Sequence, residues 1–143
     1  MKRLVALTLI LGCFPLGSAP HPLRTAQINP PGIYQTWGQA AINCAVDLKA
    51  KDSTVAYTIE HDSLDINNLN WFIVATEDSN GGFNCRVKSC AGEFFPPDTI
   101  LLSAQFIMAE WTVKHEVMHW AVKSNTESQI PHELPWGLCE YLP

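Results

Sequence analysis

Apolar positions in this chain gather into a few periodic stretches separated by polar and proline-rich ones. From Tyr34 to Leu48 the residues Trp37, Ala40, Ala41, Cys44 and Leu48 recur at intervals of three and four, which predicts an amphipathic helix carrying Cys44 into the core. Trp71 to Thr76 (WFIVAT) is a β-branched and aromatic run that stops at Asp78-Ser79-Asn80-Gly81-Gly82, the composition of a turn, and it reads as a buried strand. Ile100 to Ser103 (ILLS) predicts a second strand. Starting at Gln105 or Phe106, the spacing of Ile107, Trp111, Met118, Ala121 and Val122 predicts a second helix running to about Lys123. Between Lys51 and Asn70 the chain is polar, and only Val55 to Ile59 reads as a short strand. The tail from Ser124 holds Pro131, Pro135, Gly137 and Pro143, so an ordered loop is expected there rather than a helix.

A length of 143 residues, 47% of them apolar, supplies one compact core and leaves no room for a second catalytic domain. Nine basic residues are outnumbered by fourteen acidic ones, and no Lys/Arg cluster follows the N-terminus, which argues against nucleic acid as a partner.

The first residues change the picture of where the chain works. Lys2 and Arg3 precede an apolar run from Leu4 to Leu11, the layout of an export signal and too short to span a bilayer. Ile10-Leu11-Gly12-Cys13 resembles the lipobox of bacterial lipoproteins, which implies cleavage before Cys13 and acylation of that cysteine. An ordinary cut after Gly17-Ser18-Ala19 would leave Pro20 in the first mature position, where proline blocks cleavage; simple secretion is the alternative to a lipid anchor. Residues 14–32 carry Pro15, Pro20, Pro22, Pro30 and Pro31 and read as an extended tether, with the folded domain over 33–143.

Setting Cys13 aside leaves Cys44, Cys85, Cys90 and Cys139, an even number in a chain bound for an oxidising compartment. Of the three possible connectivities, the four-residue spacer between Cys85 and Cys90 favours a local hairpin bridge, leaving Cys44 to meet Cys139 across the domain. Such a long-range bridge adds about 4 kcal/mol in the loop-entropy picture. A cysteine metal site is disfavoured because no CxxC pair is present.

The chemistry-bearing motif is His115-Glu116-Val117-Met118-His119, an HExxH sequence inside the second predicted helix. Four residues are just over one helical turn, so both imidazoles leave the same face and can reach one Zn2+. Glu116 stands one step round the helix, where it can take a proton from metal-bound water instead of binding the metal. Chance alone produces such a match in about one chain in several hundred of this length. The predicted helix, the strand before it and a histidine further on reduce those odds. A structural zinc site has no need of a base beside its ligands and is closed by four of them, so Glu116 favours catalysis.

These residues resemble the zincins, the HExxH metallopeptidase superfamily, and more narrowly small exported bacterial metallopeptidases. The resemblance runs through Trp37 and Cys44, Cys90-Ala91-Gly92, Ile100 to Ser103, His115 to His119, then His132, Trp136 and Cys139, and departs at Glu133, where a proline is usual. It implies an α+β fold: a small, mostly antiparallel sheet packed against a first helix and the HExxH helix, with an edge strand able to pair with an extended peptide. It also implies Zn2+ as cofactor, Glu116 as catalytic base and a peptide or protein as substrate. A metal-binding but catalytically silent module holding a partner is the alternative.

A catalytic zinc needs a third protein ligand. We expect it at His132, whose loop is restrained by Pro131 and Pro135 and anchored by Trp136 and Cys139. Glu140 ranks second and Glu133 third, while Glu127 lies in a polar stretch with no anchor. Tyr141 is a candidate transition-state donor, although a packed terminal aromatic is the more frequent role, and Trp111, Trp120 and Trp136 are more often core residues than groove walls.

Overall fold

The computed structural model describes residues 25–85, 88–124 and 135–141. Through them the chain forms β1 (Thr25–Ile28), α1 (Ile33–Lys51), β2 (Tyr57–Ile59), β3 (Asn70–Val74), β4 (Phe83–Cys85) and β5 (Lys88–Cys90). It continues with β6 (Gly92–Phe95), β7 (Thr99–Ser103), α2 (Glu110–Ala121), β8 (Val122–Ser124) and the single-turn α3 (Trp136–Cys139). Four strands make the main sheet in the order β1-β3-β7-β6. β1 and β6 run antiparallel to their neighbours and only β3 with β7 is parallel, so the protein is α+β with a mostly antiparallel mixed sheet, as expected.

Alternation along the strands divides the core between two faces. Trp71, Ile100, Leu102 and Phe94 join the large cluster with residues of α1 and α2. Phe72, Val74, Leu101 and Phe95 turn the other way, onto Phe83 and the Cys85–Cys90 hairpin. Because β3 and β7 are covered on both sides, their sequences are continuous apolar runs without polar alternation.

The first helix forms where its spacing predicts, but its buried stripe is Tyr34, Gly38, Ala41, Ile42 and Ala45, with Trp37, Cys44 and Leu48 packed at the margin. Gly38 decides this rotation, because it lets α1 approach α2 so closely that a β-carbon there would collide with Leu64 and lie 3.1 and 3.2 Å from the Val117 methyls. One turn apart on the same helix, Gln35 and Gln39 strap down the loop before β3. Gln35 donates to the Leu64 carbonyl and accepts from the Ile66 amide, and Gln39 accepts from the Leu64 amide and donates to the Asp62 carbonyl. Both disulfides, Cys44–Cys139 and Cys85–Cys90, have the expected pairing.

Four expectations are corrected. Residues 25–28, read as part of the tether, form an edge strand paired with β3; backbone hydrogen bonds recruit it, and only its two end positions are partly buried. α2 starts at Glu110 and not at Phe106, since 105–108 form turns closed by Phe106 N–H to Ser103 and Ala109 N–H to Phe106, while the Tyr34 hydroxyl holds the Ile107 carbonyl. α2 also stops earlier, at Ala121, because Val122–Ser124 pairs with β2. In the tail, residues 136–139 make a helical turn where a loop was expected. Among the described residues, no helix is long and apolar enough to cross a membrane.

Candidate metal centre

α2 carries one wall of the site and β6, the end strand of the four-stranded sheet among the described residues, carries the other. Val113, Val117, Met118 and Ala121 bury the inner face of the helix. That leaves His115 and His119 half-buried along one side and Glu116 pressed toward the strand. The two Nε2 atoms converge to 2.9 Å, as the four-residue spacing requires.

The opposite nitrogen of His115, Nδ1, lies 2.6 Å from Oε1 of Glu140, which is itself buried. With Nδ1–H donating to the carboxylate, the neutral ring keeps its lone pair on Nε2, the form that ligates a metal. His115 is more basic than a free imidazole. Burial disfavours its charge, but the hydrogen bond to Glu140 and the carboxylates of Glu116 and Glu140 outweigh that loss.

Glu116 is 3% exposed, and burial pushes its carboxyl up to about 7. The positive character of His115 opposes this rise, Glu93 and Glu140 add to it, and the Phe94 backbone N–H, directed at the carboxylate, opposes it again. Its Oε2 has no hydrogen-bond partner among the described residues. Gly92 makes the niche: a β-carbon there would sit 2.7 Å from Oε1 and 2.8 Å from Cγ of Glu116. The edge strand therefore supplies Glu116 with both space and an amide donor.

Two imidazoles converging on one point, one of them backed by a carboxylate, with a second buried carboxylate beside them that has one oxygen without a partner among the described residues, are donor types that fit a zinc ion. Among the described residues no group of three His, Cys, Asp or Glu side chains is arranged to hold a metal by itself. His132, the expected third ligand, lies outside the described residues, as do Glu127 and Glu133. Glu140, ranked second as a ligand, is instead directed at the far side of the His115 ring.

Trp111, one turn before His115 on the same side of α2, is 37% exposed and meets Phe106 edge-on, so it is a surface residue beside the site rather than a core one. Trp120 stacks on His61 at 4.1 Å. Tyr141 is exposed and not packed, against the expectation for a terminal aromatic. Sequence reasoning missed the roles of Gly92 and Glu140. The only hints were a glycine two residues after a cysteine and a carboxylate directly following one. Comparison of the chain with known protein families, with curated proteins and with solved structures finds no match.

Proposed function

We propose that the protein is an exported zinc-dependent hydrolase acting on peptide bonds, with Glu116 as general base and His115, His119 and His132 as metal ligands. The reading rests above all on one observation: a buried carboxylate with an unpaired oxygen stands beside two convergent imidazoles on a single helical turn. Zinc bound there would acidify its water toward neutrality and polarise a carbonyl. Glu116, with its affinity for protons near neutral pH, is suited to take the proton from that water and pass it to the leaving amine. β6 is the end strand of the four-stranded sheet described and runs alongside, with its Phe94 N–H directed at Glu116, so a peptide substrate is proposed to lie along this strand past His115 and Glu116. Export and a lipid anchor at Cys13 are part of the proposal and rest on the N-terminal sequence.

The test is Glu116→Gln. The variant should keep its fold and bind zinc while hydrolysis of a peptide library falls roughly 100-fold or more. Full activity in the variant, or none in the zinc-loaded wild type, would reject the enzyme and favour the silent binding module.

A further inference from the structure

From the path of the covalent chain through the site, we infer that the Cys44–Cys139 disulfide positions the metal ligand His115, acting through Glu140; the inference rests on the metal-site reading above. α3 is one turn long, with Leu138 and Cys139 N–H both bonded to the Pro135 carbonyl, and a turn that short does not hold itself in place. Its anchor is Cys139, 1% exposed and bonded to Cys44 on α1. Glu140 is the next residue, so its backbone is fixed within one peptide unit of the bridge, and its carboxylate reaches Nδ1 of His115 at 2.6 Å. α1 and α2 are packed together independently, across Gly38 and Val117. The bridge therefore closes a three-sided frame: α1 to α3 by the disulfide, α3 to α2 by the Glu140–His115 hydrogen bond, and α2 back to α1 by packing. In this frame the disulfide holds a carboxylate against one ring nitrogen, and so orients the other toward the metal.

Two readouts test the frame, one of which needs no metal. In the metal-free protein, at a pH alkaline enough that further increase no longer changes the His115 nitrogen shifts, nitrogen NMR should show the neutral ring as the Nδ1–H tautomer. Glu140→Ala, which removes the acceptor, and the double variant Cys44→Ser/Cys139→Ser should each lose that bias. Both should also bind zinc about 10- to 100-fold more weakly in a chelator competition. Combining all three substitutions should cost no more than the larger single effect, because the bridge and the carboxylate act in series. Cys85→Ser/Cys90→Ser, on the opposite face of the sheet, should leave tautomer and affinity unchanged.

A wild-type tautomer and affinity in Glu140→Ala, with the disulfide intact, overturns the inference even if the disulfide-free variant fails to fold. Fully additive losses in the combined variant overturn it as well. A wild type that shows the Nδ1–H tautomer, lost in both variants, but binds no zinc supports the frame and rejects the metal reading.

Discussion

At the scale of single residues, the site depends on what Gly92 lacks. A methyl group at this position would press on the Glu116 carboxylate from a strand that is hydrogen-bonded to β7 and cannot recede, so the side chain must swing off its Phe94 amide. Gly92→Ala is expected to lower peptide hydrolysis about 10-fold or more, since misplacing a reacting group by an ångström has that order of effect. Zinc affinity should stay within about twofold, because the three atoms nearest such a methyl all belong to Glu116 and not to an imidazole. Parallel measurement of kcat and of zinc binding checks this, and a loss of both together would mean that the strand itself had moved. His115, Glu116 and His119 were legible in the sequence because their relation is local, fixed by one turn of helix. The Gly92 niche was not, since it joins residues 24 positions apart on different elements.

At the scale of elements, the contact between α1 and α2 sets where the HExxH turn sits relative to the core. Gly38→Val should crowd Leu64 and Val117 and destabilise the fold by about 1–3 kcal/mol in chemical denaturation, the usual cost of overpacking. Gly32→Ala is the matched control, for it sits at the start of α1 in right-handed helical backbone with nothing within 4 Å of the added carbon. Its stability should be unchanged or slightly higher. Equal losses in both would show that helix approach is not what Gly38 provides. The periodicity of α1 was readable but its rotation was not. Trp37 and Leu48 satisfy a helical repeat as well as Tyr34 and Ile42 do, and only the partner helix decides which stripe turns inward.

At the scale of the whole molecule, burying Glu116 ties stability to pH. The folded protein holds this proton up to about 7, whereas the unfolded chain releases it near the ordinary 4.5. Between those limits folding takes up a proton. The contribution of Glu116 is therefore fully present below about 4.5 and lost as pH rises through 7. The amount is on the order of 3 kcal/mol for a fully buried carboxyl. Denaturation of the metal-free protein at about pH 5 and pH 8 should show wild type weakening at the higher pH and Glu116→Gln weakening less, the remainder coming from His115, whose more basic ring loses its proton as pH rises. A wild type that strengthens over this range would show that hydrogen bonding and charge, not burial, dominate at Glu116.

Spacing along the chain, which the sequence contains directly, determined the two main helices, the two central strands and the HExxH constellation, and it favoured the disulfide pairing that the structure has. The α+β class was implied by the resemblance that those residues carry. Tertiary structure decided what spacing cannot express: that Thr25–Ile28 joins the sheet, that α2 begins only at Glu110, and that Glu140 faces Nδ1 of His115. The edge strand as a cradle for the Glu116 carboxylate belongs with these. All of them depend on contacts between segments far apart in the chain, which form only when α1, α2 and the sheet pack together.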